Sequence, residues 1–306
     1  FCLSRGLGDV YKRQCMNVSD LAGALFTPSA LRSLLCEGAS YNHNKLTEAL
    51  RVELNLPSNC TLSETIEKTY KVLRCEGNRT DYVYRNAIID KIVIGRHSIN
   101  TATPIQEFRV GTSLADLVVL NGTSTVYEIK SERDTLRRLA SQIESYSKVF
   151  ERIFVVTSAI KLRSLEQYLP EGVGIIMLSR NYTLQTVREA TTNWELLDPV
   201  AISRAMTIRE ACTALDALGE QIPDVPNMLI RRAIDDKFRQ LGAQTSSQAF
   251  ISTLKRSRKP RVTQADLTQV PRPLRSYALS HLRKPGQLTT LLEQLESTHN
   301  QSKEGP

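Results

Sequence analysis

The sequence predicts a mixed α/β domain, with a central mixed sheet flanked by helices, between a helical N-terminal segment and a helical C-terminal domain. Three observations predict it. Segments of strand character cluster between residues 105 and 178. Two of them are joined by a hairpin signal, and the later ones alternate with amphipathic helical segments. Beyond Trp194 the strand pattern disappears, and prolines separate helical segments.

The central region has the predicted element order α-β-β-β-α-β-α-β. A helix over 81–95 stops at Gly95. Asp134 is the predicted cap of a helix that runs to about Phe150, with Leu139 on its apolar face. The predicted strands are Ile105–Val110, Leu114–Leu120, Thr125–Lys130, Ile153–Thr157 and Val173–Leu178, with a short helix at Leu162–Leu169 before the last. Because a strand-helix-strand unit adds a parallel neighbour to a meander, the sheet should be mixed.

The flanking regions are predicted to be helical. Thr27 before Pro28 is typical of a helix start, and Thr61 with Glu64 forms a capping box. The stretch that ends in Asp-Val-Tyr-Lys-Arg-Gln before residue 15 corresponds to a translated sequencing-adapter end, so we expect an artefactual leader. The expected boundaries are 1–15 for the leader, 16–75 for the helical segment, 76–185 for the α/β domain, 195–296 for a basic helical domain and 297–306 for a disordered tail.

Composition narrows the class of protein. Of the 306 residues, 41% are hydrophobic and 24% charged, which is typical of globular chains, and no apolar run approaches the length of a membrane span. The stretch after Met16 lacks a secretory signal, so we expect a cytoplasmic protein without membrane contact. The six cysteines are scattered without a Cys-x-x-Cys pair, which argues against a zinc site and against disulfides.

The formal charge of +8 is concentrated in one stretch. Between Lys255 and Lys284 there are nine basic residues and one acid, Asp266. Its densest part predicts a phosphate-contacting patch, and a solvated basic face is the equally weighted alternative. The residues of this predicted patch are Lys255, Arg256, Arg258, Lys259 and Arg261.

Two carboxylates are predicted to meet on the hairpin. Period-2 geometry places Glu128 and Lys130 on one face of their strand. If the turn is centred on Gly122, Asp116 lies opposite Glu128 on that face. Like charges that face each other destabilise a sheet unless a positive charge separates them. A divalent cation would resolve the conflict, although an ordinary exposed charge pair gives the same local pattern.

These residues resemble the PD-(D/E)XK nuclease superfamily, whose signature is an acid on one strand and D/E-x-K on the next. Asp116 and Glu128-Ile129-Lys130 match it, although Ala115 stands where the signature has proline. Gln142 and Tyr146 match the Q-x-x-x-Y motif of the RecB-like branch. The blocks around them, over about residues 76–180, are similar to an uncharacterised bacterial family assigned to this superfamily.

The resemblance implies a restriction-endonuclease-like core and a role for each matching residue. Asp116 and Glu128 would bind Mg²⁺ or Mn²⁺ together with the carbonyl oxygen of Ile129, and Lys130 would be the catalytic lysine. Gln142 would lean over the site and Tyr146 would support it. An acid from the first helix often completes such sites. Asp81 is the best match, and Glu76 and Asp90 are alternatives.

The leading hypothesis is therefore a metal-dependent deoxyribonuclease that hydrolyses phosphodiester bonds with a metal-activated water. DNA is the expected partner and RNA stays open, as does a homodimer or a complex with another protein. Two alternatives lie outside the enzyme class. One is an inactive nuclease-fold protein that binds nucleic acid, and the other is a transcription regulator that reads DNA through residues 16–75, with Asn42–Arg51 as the candidate recognition helix.

Overall fold

The computed structural model describes residues 17–34 and 41–298. The chain forms two compact units. One spans Tyr84–Ala265, and the other combines the residues up to Val83 with those from Asp266 onward. The expected leader and nearly all of the expected tail lie outside the described residues. Within the described ranges, no helix has the length and apolar character needed to cross a bilayer.

The unit of residues 84–265 is built on a six-stranded mixed sheet with its strands in sequence order. Strands β1 (Thr103–Val110), β2 (Ser113–Leu120) and β3 (Ser124–Lys130) form the predicted antiparallel meander, and β4 (Arg152–Ser158) and β5 (Gly174–Leu178) are added in parallel. An antiparallel edge strand, β6 (Leu184–Arg188), was not predicted from the sequence because its alternate positions do not form a buried apolar set.

Helices flank this sheet. An α-helix begins at Asp81 and continues as a π-helical stretch to Ile94. Two further helices lie in the crossovers after β3 and β4. The later ones pack against one another and against the sheet, where Phe250 contacts Phe108 and Phe150 edge to face. In chain order these helices are α5 (Asp81–Ile88), α6 (Leu139–Ser147), α7 (Ala159–Tyr168), α8 (Pro199–Arg204), α9 (Ile208–Ala217) and α10 (Asn227–Ser257), which is kinked at Gly242.

The second unit is helical. The predicted caps are confirmed: Thr27 accepts from Ala30 N, and Thr61 and Glu64 form a capping box. C-terminal helices pack with the N-terminal ones, and Leu62 N donates to Ser297 O. The helices are α1 (Val18–Leu25), α2 (Pro28–Ser33), α3 (Tyr41–Glu53), α4 (Leu62–Leu73), α11 (Gln264–Gln269), α12 (Arg275–His281) and α13 (Gln287–Glu296), with a 3-10 turn at Arg272–Leu274.

Two sequence-based boundaries need correction. The helix predicted to start at Asp134 begins at Leu139, because the Asp134 carboxylate instead accepts hydrogen bonds from Ser131 in the preceding loop. The expected C-terminal domain of residues 195–296 is divided. Its first helices contribute Phe238 and Phe250 to the core of the sheet unit, whereas the part from Asp266 belongs to the helical unit. Long-range packing of this kind leaves no local signal in the sequence.

Candidate functional site

The hairpin register places Asp116 opposite Glu128. Strands β2 and β3 pair Leu117 with Tyr127 and Leu120 with Ser124, so the turn is centred on Gly122 as predicted. One step further along the ladder, Asp116 faces Glu128. Its Oδ2 accepts a hydrogen bond of 2.7 Å from the backbone amide of Ile129. The Asp116 carboxylate is therefore held against the β3 backbone between Glu128 and Lys130.

Glu128 lies at the centre of a hydrogen-bonded cluster. Its side chain is 2% exposed. Oε1 accepts from Lys130 Nζ over 2.6 Å and from Gln142 Nε2 over 2.7 Å, while Oε2 accepts from the Tyr146 hydroxyl over 2.9 Å. A buried carboxylate requires such donors to compensate for lost hydration. The charged alternation of β3 is therefore a buried polar cluster, and the exposed-face alternative is wrong.

Lys130 is the cationic member of this cluster. Its side chain is 10% exposed, and Nζ also donates to Gln142 Oε1 over 3.1 Å. An ammonium group has three N–H donors, so two are directed at Glu128 and Gln142 and one remains for another acceptor. The backbone at this position is fixed as well, because the Thr157 hydroxyl of β4 donates to the Lys130 carbonyl oxygen over 2.9 Å.

Helix α6 supplies the two side chains that fix the carboxylate. Gln142 and Tyr146 are four residues apart, so they lie on one face of the helix. Tyr146 is fully buried, and its ring packs edge to face on Phe150. Burial raises the pKa of the Tyr146 hydroxyl, and the negative charge of Glu128 raises it further. Tyr146 is consequently a neutral hydrogen-bond donor to Glu128 across the physiological range.

Arg85 is a residue of this site that the sequence analysis missed. Its Nη2 atom lies 4.0 Å from Asp116 Oδ1, and its side chain is 15% exposed. The resemblance implies an acid on this helix, and Asp81 is one turn before Arg85. The sequence did contain a signal for Arg85: it lies four residues after Asp81 and therefore on the same face of the helix. Asp81 and Glu76 belong to the helical unit and Asp90 to the π-helical stretch, so their metal-binding roles stay predictions.

A second lysine lies near the cluster. Lys161, on α7, donates a hydrogen bond to the carbonyl oxygen of Asp134 in the loop between β3 and α6. Burial lowers the pKa of Lys161; Asp134 opposes this shift and the positive charge of Lys130 adds to it. Lys161 therefore ties the loop that follows Lys130 to the neighbouring helix.

One residue of the predicted phosphate-contacting patch, Arg258, has a different role in the structure. Arg258 forms a two-point ion pair with Glu210, with both contacts at 2.8 Å, and its guanidinium stacks on Phe108. Burial acts to raise the pKa of Glu210, but the bonds from Arg258 bring it down to about 2. Arg258 is thus a structural residue. Within the described part of the chain, no ion-pair partner occurs for the other residues of the patch, Lys255, Arg256, Lys259 and Arg261. Their contact with phosphate stays a prediction.

The carboxylates of this cluster can be compared with the ligands that a divalent cation uses in proteins. Mg²⁺ in proteins uses one or two carboxylates and completes its shell with water. Asp116 and Glu128 supply two carboxylates, and Oε2 of Glu128 has a lone pair beyond the one that Tyr146 uses. No group of three or more His, Cys, Asp or Glu side chains suited to a metal occurs within residues 17–34 and 41–298. The residues fit a water-rich, two-carboxylate site and do not form a closed protein cage.

The candidate recognition helix, Asn42–Arg51, has its arginine buried and engaged within the protein. Arg51 lies at the end of α3, where it is 8% exposed and donates to the Pro57 carbonyl oxygen over 2.7 Å. A side chain held in this way is not available to read base edges.

Known proteins are similar to parts of this chain. A solved protein of unknown function from Silicibacter pomeroyi has 22% sequence identity and a TM-score of 0.28, over 39% of this chain and 81% of that chain. Protein cII of Enterobacteria phage P4 is 29% identical over 85 residues, which are 27% of this chain. The match spans 32% of that phage protein's length.

The family is established by a longer match. The sequence profile of bacteriophage P4 protein cII matches residues 75–271, which is more than half of the chain and includes every residue of the cluster around Glu128. The chain therefore belongs to the bacteriophage P4 protein cII family.

Proposed function

We propose that this protein is a metal-dependent nuclease with a restriction-endonuclease-like core, and that it hydrolyses phosphodiester bonds of DNA. One observation carries the proposal: Lys130 and Gln142 both bind Oε1 of the buried Glu128, while Asp116 lies opposite on the adjacent strand. Burying a carboxylate and an ammonium group is costly, and a fold gains little stability from such a pair. A site that uses both charges accounts for their presence inside the fold.

Each side chain has a distinct role in the proposed reaction. Asp116, Glu128 and the carbonyl oxygen of Ile129 would hold Mg²⁺ or Mn²⁺, which when bound makes a water more acidic and offsets charge on the phosphate. The water molecule gives up a proton as its oxygen forms a bond to phosphorus, the ester P–O bond breaks, and the leaving oxygen takes up a proton. The products are a phosphate monoester and a free hydroxyl. The third N–H of Lys130 would donate to a phosphate oxygen, where negative charge increases in the transition state.

Gln142 and Tyr146 act through Glu128. Their hydrogen bonds hold both carboxylate oxygens, so the carboxylate keeps one orientation without rearrangement during the reaction. Gln142 also accepts from Lys130, so it sets the position of the ammonium group relative to the carboxylate. We expect both residues to be positioning residues.

The test compares wild-type protein with Lys130→Ala and Glu128→Ala on plasmid, linear and single-stranded DNA, with Mg²⁺ or Mn²⁺. Neither variant should cut DNA. Calorimetry should show that Lys130→Ala keeps Mn²⁺ binding and Glu128→Ala loses it, because a protonated lysine is not a metal ligand. Lys148→Ala, an exposed lysine paired with Glu144 on the surface, is the matched control and should cut normally. Cleavage by Lys130→Ala at the wild-type rate would refute the proposal and favour a nucleic-acid-binding protein without activity.

A further inference from the structure

The loop between β3 and α6, residues 131–138, carries three arginines beside the candidate site. It follows directly on Lys130 and contains Arg133, Arg137 and Arg138. All three are exposed. Within the described part of the chain none of them has an ion-pair partner, in contrast to Arg204 and Arg258 of the same unit, which pair with carboxylates.

The conformation of this loop is fixed by polar contacts at its base. The amide and hydroxyl of Ser131 donate to Asp134 Oδ2, so that carboxylate is directed to the loop itself. Lys161 holds the Asp134 carbonyl oxygen from α7. At the other end, the carbonyl oxygen of Arg138 accepts from Gln142 N, in the first turn of α6. The arginines therefore extend from an anchored backbone, which lowers the entropy cost of ordering them on a ligand.

We propose that Arg133, Arg137 and Arg138 form a surface that binds the phosphate backbone of DNA next to the cluster around Glu128. The inference rests on the proposed nuclease function and identifies the element that holds its substrate. Guanidinium groups bind phosphate oxygens in pairs, and unpaired exposed arginines give up no existing ion pair when they do so. The same loop directly follows Lys130 and ends at the helix of Gln142, so a phosphate bound there lies beside the candidate catalytic residues.

The test measures DNA binding without cleavage. The full chain is titrated onto fluorescently labelled duplex DNA in EDTA over a series of salt concentrations, and binding is followed by anisotropy. Each lost phosphate contact should reduce the slope of log K against log salt by about 0.9. The variant Arg133→Gln, Arg137→Gln, Arg138→Gln should therefore lower that slope by roughly 2 to 3 and weaken binding at least tenfold at low salt.

The control variant removes the same charge elsewhere in the unit. Arg152, Arg209 and Arg232 are exposed and, among the described residues, lack ion-pair partners. Changing these three to Gln should leave the slope near wild type. Equal losses in both triple variants would mean that only net charge matters, and would overturn the proposal. Tighter binding of an RNA duplex of the same sequence would overturn the assignment to DNA. Failure of the wild type to cut DNA with Mg²⁺ would refute the nuclease alone, because the binding assay needs no cleavage.

Discussion

The hydroxyl of Tyr146 on α6 donates a hydrogen bond to Oε2 of Glu128 on β3 over 2.9 Å. This contact joins a helix to the centre of the sheet through a buried carboxylate. Tyr146→Phe removes the donor and leaves the aromatic ring in place. A hydrogen bond to a charged group contributes about 1.5–3 kcal/mol, so we expect the free energy of unfolding to fall by about that amount. Urea denaturation measures it.

A second tyrosine serves as the control for this change. Tyr127 is also buried and stacks on Phe154, but its hydroxyl makes no hydrogen bond to a described residue. Tyr127→Phe should lower the free energy of unfolding by less than Tyr146→Phe does. An equal loss in the two variants would show that the Glu128 contact contributes nothing of its own to stability.

Arg85 and a divalent cation should compete for Asp116. A positive charge 4.0 Å from Asp116 Oδ1 opposes the approach of a second cation. Arg85→Gln should therefore tighten Mn²⁺ binding, by roughly two- to tenfold after solvent screening. Calorimetry checks this, with Arg152→Gln as the control because Arg152 lies at the opposite end of the parallel strands from Lys130. Weaker Mn²⁺ binding in Arg85→Gln would indicate that Arg85 orients Asp116 and does not compete with the metal.

The ion pair between Glu210 and Arg258 should make stability depend on pH. The pKa of Glu210 falls from 4.5 to about 2 on folding, so its contribution is fully present above pH 4.5 and is lost as pH falls toward 2. One pKa unit corresponds to about 1.4 kcal/mol, which sets an upper limit of about 3.5 kcal/mol at neutral pH. Glu210→Gln should thus be less stable than wild type at pH 7 by roughly 1–3 kcal/mol. Thermal denaturation from pH 7 down to pH 3 should show the difference shrinking; a constant difference would contradict the pair's role.

The basic residues in the last turn of α10 and just beyond it should contribute to DNA binding separately from Arg258. Replacing Lys255, Arg256 and Lys259 by Gln should reduce the salt dependence of DNA binding if these side chains contact phosphate. Arg258→Gln should instead lower stability, because it leaves the largely buried Glu210 carboxylate without its partner. Anisotropy titrations and urea denaturation on the same variants separate the two effects. A normal salt dependence in the triple variant would show that this surface is only solvated.

Much of the candidate site follows from local rules. A turn centred on Gly122 and a period of two residues are sufficient to place Asp116 opposite Glu128, and the four-residue helical spacing places Gln142 and Tyr146 on one face. These relations depend on backbone geometry alone, so they can be predicted from the sequence pattern. The expectation of a mixed sheet flanked by helices has the same basis and is confirmed.

Tertiary structure decided which charges are buried and which are paired. The sequence alone could not distinguish a solvated Glu128 from one that is 2% exposed, because burial depends on where α6 packs on the sheet. Nor could it show that Arg258 meets Glu210, 48 residues earlier in the chain, or that Arg85 approaches Asp116. Local propensity acts over a few residues, whereas pairing and burial of charges depend on contacts between distant segments, and these exist only once the chain has folded.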